Sequence, residues 1–326
     1  MRIYQSGGTP VELSPKMRSL SDKYGLYDKV LEWMRYRLLS WPYISRSTTN
    51  RYRDVIKERG FPKSVMLDSG AFTAWTKGIS LNLDEYSDFA QENLDLFDFI
   101  VSIDVLPSFK GDRSAHRLTR EFEVSAEKSW KNVEYLLSTG LTKKNLVPVF
   151  HQGESINHLK FLSEQGFFLI GISPGNDRSA GDKFSWLREC RKVVSVDGLG
   201  RPSQRCHGFA VTDFSLMKSF PWFSVDSATW AISSGHGNVL VPSKGFTDFS
   251  NPTTLSVSRR KGTENYTGLK EYFESHLGME MEDIENHTQA RCITQLYAME
   301  KFTKWLNKEM PFINNTKTSR LGVDLS

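Results

Sequence analysis

Phe220-Pro221-Trp222-Phe223-Ser224-Val225-Asp226-Ser227-Ala228-Thr229-Trp230 reads as a short buried strand that delivers a carboxylate and is followed by small polar residues. Two earlier stretches share the design: Val65-Met66-Leu67-Asp68-Ser69-Gly70-Ala71-Phe72 and Phe99-Ile100-Val101-Ser102-Ile103-Asp104. Three apolar strands that each place an aspartate at the C-terminal end point to one acid-lined pocket. A parallel barrel builds its active site where its strands end, which fits this pattern.

Working outward, strand candidates fall at residues 64–68, 98–104, 145–151, 167–173, 205–211 and 222–226. Most are near-continuous apolar runs, as expected of parallel strands covered on both faces. Helical patterns at 83–96, 119–139, 155–165, 183–194 and 213–219 alternate with them, which is the βα rhythm of an α/β fold. The pattern at 119–139 sets Phe122, Ala126, Trp130, Val133 and Leu137 on one face. The expected architecture is a (β/α)₈ TIM-type barrel with an N-terminal helical extension and C-terminal helices, in one structural domain. Residues 1–60 are the expected extension, with helices at 14–40 and 47–59. Residues 61–245 are the expected barrel core with the active site. Residues 246–326 are the expected closing segment, with helices at 267–277 and 285–308. A strand at 238–242 opens a small hairpin, and the polar tail from Asn314 is expected to fray.

Composition bounds the class of protein. The 326 residues are 39% hydrophobic and 12% aromatic, ample for a large core, and no run nears the ~20 apolar residues of a membrane span. The first ten residues lack a signal-peptide pattern. Cys190, Cys206 and Cys292 are too few and too scattered for a disulfide framework, which fits a reducing cytoplasm. Cys190 and Cys292 fall in helical patterns and read as core packing. A net charge of +4 is compatible with a nucleic-acid partner without requiring one.

The strand ends carry the candidate chemistry. Asp68 precedes Ser69-Gly70, where glycine permits a sharp turn or a close ligand. Asp104 follows Phe99-Ile100-Val101, and an aspartate there is costly to bury without a partner or a pocket. Gln152 in His151-Gln152-Gly153 brings an amide to the same rim. Gly171 and Ile172 offer backbone N–H groups beside small residues, and His207 supplies an imidazole for stacking on a base or hydrogen-bonding it.

Together these segments resemble the tRNA-guanine transglycosylase family, which exchanges guanine for a 7-deazaguanine on a nucleic acid. The family's Asp-Ser-Gly-Gly-Phe motif is similar to Asp68-Ser69-Gly70-Ala71-Phe72, its base-reading aspartate to Asp104, and its Gln-Gly-Gly segment to Gln152-Gly153-Glu154. Its Ile-Gly-Gly-Leu segment resembles Ile170-Gly171-Ile172-Ser173, and its nucleophile resembles Asp226. The stretch around Ser129-Trp130 is similar to the family's third βα unit. The likeness spans roughly residues 64–242. It departs where the tRNA enzymes carry a zinc site after the nucleophile, because only Cys292 lies beyond Asp226. With His207-Gly208-Phe209-Ala210, the chain most resembles the DNA-directed members found in phages and bacterial DNA-modification systems.

The resemblance implies a catalytic pair, Asp226 as nucleophile and Asp68 as acid and base. It implies a base-binding set of Ser69, Asp104, Gln152, Gly171, Ile172 and His207. Neither a metal nor another cofactor is implied. The expected partners are DNA and a free 7-deazaguanine such as preQ0, with no membrane, and a homodimer is left open. The expected compartment is the cytoplasm, the host's if the gene is a phage's. For phosphate contacts, the basic candidates are Arg35, Arg37, Arg46, Arg51 and Arg53, and Arg259, Arg260 and Lys261 after the hairpin. Two rivals stay open: a tRNA-directed transglycosylase, and a barrel that binds nucleic acid without catalysis.

Overall fold

A computed structural model describes residues 1–7, 12–107, 119–175, 178–194, 202–257 and 268–309. Its main sheet runs β1 (Arg2–Gln5), β2 (Tyr36–Ser40), β3 (Ser64–Asp68), β4 (Phe99–Val101), β5 (Leu146–Val147), β6 (Val149–His151), β7 (Ile170–Ser173), β8 (Cys206–Gly208) and β9 (Ser224–Ser227). All pairings within it are parallel, and β1 lies between β2 and β9. The two ends of the strand order are β5 and β6. These are halves of one segment divided by Pro148, which has no N–H to give a ladder. One half pairs with β4 and the other with β7, so the sheet closes on itself. Counting β5 and β6 as one, the nine strands form the eight staves of an α/β TIM-type barrel.

Two cores follow from the alternation of side chains along each strand. The outer core lies between strands and helices and includes Val65, Leu67, Ile100, Phe150, Ile172 and Val225. The inner one fills the barrel with Tyr4, Met66, Phe99, Val101, Val149 and Leu169, among others. Staves such as β3 and β4 therefore read as continuous apolar runs, their two faces serving two cores.

The helices Leu83–Glu92, Thr119–Ser138, Ile156–Glu164, Ala180–Val194 and Phe214–Ser219 stand where the periodicity puts them. The expected N-terminal extension is corrected. Residues 1–60 contain helices Pro15–Lys23, Tyr27–Trp33 and Arg46–Arg59, but also β1 and β2, two staves of the barrel. Arg37 and Gln5 are buried within these strands and break the apolar-run signature that marks the others. Arg37 is thus part of the wall, not an exposed phosphate contact. Beyond β9, β10 (Asn238–Pro242) and β11 (Asp248–Ser256) form an antiparallel hairpin. The closing helix Thr288–Glu309 packs on that hairpin and on the helices Pro15–Lys23 and Tyr27–Trp33. Among the described residues no helix is long and apolar enough to cross a membrane. Arg259, Arg260, Lys261 and the tail from Asn314 lie outside the described residues.

Candidate active site

The C-terminal ends of the staves surround a pocket of about 880 Å³. Asp68, Asp104 and Asp226 all line it. Each reaches the rim by a different local device. Asp68 ends β3, and its Oδ2 accepts the Gly70 N–H at 3.2 Å. Gly70 has φ +75°, and a Cβ there would meet Pro42 Cδ at 2.5 Å. The turn after Asp68 therefore demands glycine twice over, by backbone conformation and by space. Gly70→Ala should cost about 2–4 kcal/mol of stability in a denaturant melt, from strain plus overpacking. A loss under half a kcal/mol would show that the turn relaxes freely.

Asp104 sits on the loop after β4, held by the helix Thr119–Ser138. Ser129 Oγ accepts the Val105 N–H at 2.8 Å, and Asn132 donates to the Ile103 carbonyl at 2.8 Å. Asp226 stands in β9 with its carboxylate doubly held. Oδ1 accepts the Ala210 N–H at 2.7 Å, and Oδ2 accepts the Ser6 hydroxyl at 3.2 Å. Ala210 adopts φ 51°, an uncommon conformation for a residue with a Cβ, to aim that N–H.

The three acids differ in environment. Burial, then the negative charges of Asp104 and Asp226, push the Asp68 carboxyl up to about 7, against opposing hydrogen bonds from Ser40 and Gly70. His151 Nε2 lies 2.7 Å from Asp104 Oδ2. Burial opposes a charged ring there, yet Asp104's hydrogen bond and charge, with Glu154 nearby, raise the His151 pKa on balance.

Several residues expected at the base do not face the pocket. Ser69 is fully buried, and its Oγ accepts the Ala71 N–H at 3.4 Å within the turn. Gln152 uses its Oε1 to accept the Gly175 N–H at 3.0 Å, so it holds the loop after β7. His151, its neighbour, lines the pocket instead. Ile172 points into the outer core, and the Gly171 N–H is taken by the Pro148 carbonyl at 2.8 Å. Gly171 has another use, since a Cβ there would meet the Phe209 ring at 2.3 Å. The glycine makes room for Phe209, which lines the pocket and offers the aromatic surface expected of His207. His207 itself is fully buried, one inward position deeper on β8. Strand parity separates His151 from Gln152, because inward positions recur every second residue, whereas His207 and Phe209 share the inward face and differ in depth. Val149 and His151 share a face, as do His207 and Phe209. Ser6 was missed because residues 1–60 read as an extension.

The basic candidates are occupied elsewhere. Arg51 pairs with Glu12 at 2.7 Å, and Arg53 with Asp95 at 2.6 Å. Arg46 reaches Glu92 at 3.4 Å, and Arg35 reaches Glu300 at 3.0 Å. None of these lines the pocket. Exposed pairs such as those of Arg46 and Arg51 are weak, whereas half-buried Arg53 is also held by Asn50, Asn93 and the Glu92 carbonyl. The three cysteines are buried, and burial pushes the Cys190 thiol up to about 12. Among the described residues no group of three or more His, Cys, Asp or Glu is arranged to hold a metal ion.

No protein-family model matches the sequence, and no curated protein matches it. Among solved structures, a chain from a structural study of Aquifex aeolicus VF5 is similar at 12% identity, covering 69% of this chain and 70% of that one, with a TM-score of 0.31. A FabK mutant from Thermotoga maritima is similar at 11% identity, covering 72% and 84%, with a TM-score of 0.29. Neither likeness bears on what the pocket does.

Proposed function

We propose that this chain is a guanine transglycosylase that exchanges guanine in DNA for a 7-deazaguanine, preQ0 or a relative, through a covalent aspartyl-nucleotide. One observation carries the reading: two carboxylates on one pocket wall in opposed surroundings. Asp226 accepts hydrogen bonds from the Ala210 N–H and the Ser6 hydroxyl, whereas Asp68 is pushed toward its protonated form. A carboxyl that keeps its proton near neutral pH beside a second carboxylate supports the reading of Asp68 as proton donor and Asp226 as nucleophile.

The steps follow. An extruded nucleotide enters the pocket, because a base inside a duplex is out of reach. An Asp226 oxygen bonds to C1′ as the C1′–N9 bond breaks, and the bonding pair leaves with guanine. Asp68 gives its proton to the departing base. The incoming 7-deazaguanine then loses its N9 proton to Asp68. Its N9 bonds to C1′ and expels Asp226 as a carboxylate. Asp104, braced by His151, accepts hydrogen bonds from the base edge, and Phe209 packs against its face. The absence of the tRNA enzymes' cysteine cluster favours DNA as the polymer.

Incubation with labelled guanine and either DNA or tRNA tests the proposal, with nucleoside mass spectrometry as the readout. Incorporation into DNA is the expected result. Incorporation into tRNA alone selects the rival polymer, and none into either defeats the reading. Within the same assay, Asp104→Asn should cost about 1–3 kcal/mol of guanine-over-adenine preference. Polymer affinity should change far less. An unaltered preference removes Asp104 from base reading.

A further inference from the structure

His207 is fully enclosed, yet it stands directly behind Asp226. Its Nδ1 lies 2.8 Å from the Oγ of Ser224, its register partner on β9. Its Nε2 lies 3.6 Å from Asp226 Oδ1 and has no hydrogen-bond partner among the described residues. Tyr4 and Phe209 press edge-on against the ring, with centroids at 5.8 and 4.6 Å, and limit its rotation. A buried ring nitrogen without a partner is costly, so its placement calls for a reason. The gap to Asp226 is longer than a hydrogen bond, but a small turn of the carboxylate closes it. Hydrogen bonds of this kind often tighten only when substrate is bound.

From this geometry we infer that His207 is a positioning residue for Asp226, with Ser224 as its anchor. The Ser224 hydroxyl donates to Nδ1, which leaves the proton on Nε2, facing the Asp226 carboxylate. The three side chain types match a serine–histidine–aspartate relay, but the order is reversed. Ser224 is fully buried and Asp226 faces the pocket, so serine is the anchor and the carboxylate is the reacting group. The chemical consequence rests on the transglycosylase reading. As the covalent bond forms, the carboxylate loses its charge. As the incoming base expels it, the charge returns beside the Nε2–H. Losing that donor slows release more than formation.

Two measurements test the inference. In exchange assays, His207→Phe should lower turnover ~10–100-fold, as loss of an outer-layer partner typically does, with polymer affinity unchanged. Covalent enzyme–DNA should accumulate relative to wild type on denaturing gels. His207→Gln, whose side-chain amide can supply the N–H, should recover much of the loss. Equal turnover in all three proteins, or equal loss in both variants without accumulation, overturns the role. Separately, imidazole nitrogen NMR of the full chain should show the Nε2-protonated neutral ring, with a resonance that moves in Asp226→Asn. An Nδ1-protonated or doubly protonated ring at neutral pH, or a resonance indifferent to Asp226→Asn, overturns the geometry whatever reaction the protein performs. If wild-type enzyme shows no exchange, the transglycosylase reading fails, and the NMR result still decides the relay.

Discussion

Asp226→Ala should reduce base exchange by at least ~10⁴-fold, because the proposed covalent route runs through this carboxylate. Polymer binding should persist, since the substitution leaves the exposed basic candidates Arg46 and Arg51 untouched. Wild-type enzyme mixed with DNA in the absence of incoming base should give a shifted band on a denaturing gel, and the variant should give none. The substitution also removes one of the negative charges that hold the Asp68 carboxyl high, so the Asp68 pKa should fall toward the ordinary carboxylate range. Near-normal turnover by the variant would disprove the assignment. A lost band with an unmoved Asp68 pKa would show that the two acids do not sense each other.

Asp68→Asn should lower exchange by ~10²–10⁴-fold and raise stability at alkaline pH. The two effects share one cause. The folded chain holds the Asp68 proton up to about pH 7, whereas an unfolded aspartate releases it near its ordinary value of 3.8. Between those values the native state binds the extra proton, so stability contributed by Asp68 is full below the lower value and declines as pH rises through about 7. Above that pH, three carboxylates share one pocket. Asparagine cannot ionise, so the variant should exceed wild type by an amount on the order of 2–4 kcal/mol at pH 8–9, and by little near pH 4. Wild-type exchange should fall as pH rises past about 7, when the proton donor is lost, and the variant's residual activity should lack that limb. Denaturant melts at several pH values, beside pH–rate profiles, check both. A pH-independent stability difference would remove the raised pKa from the explanation. An activity kept in the variant would remove Asp68 from proton transfer.

Much of the barrel was legible in the chain because local signals and global fold agree. Apolar runs such as Val65-Met66-Leu67 serve two cores at once, and Asp68, Asp104 and Asp226 end up in one pocket as their strand ends implied. The failures share a physical origin. β1 and β2 escaped notice because Gln5 and Arg37 are buried in strands where composition alone argues for exposure. Motif likeness names a segment, but not that His151 rather than Gln152 faces inward, nor that Phe209 rather than the deeper His207 reaches the pocket.

The order of strand-end carboxylates and the βα alternation were determined by sequence alone, since period and hydrophobicity are local properties. What the tertiary structure decided is non-local. Closure runs through Pro148, whose two flanking half-strands join β4 to β7. The Ser6 hydroxyl meets Asp226 across 220 positions of chain because β1 pairs with β9. The raised pKa of Asp68 comes first from the burial that the closed barrel imposes and then from the two charges gathered beside it. A one-residue slip in strand register turns every side chain to the other face, so which residue of a motif touches the pocket is settled when the staves pair, not by the motif itself.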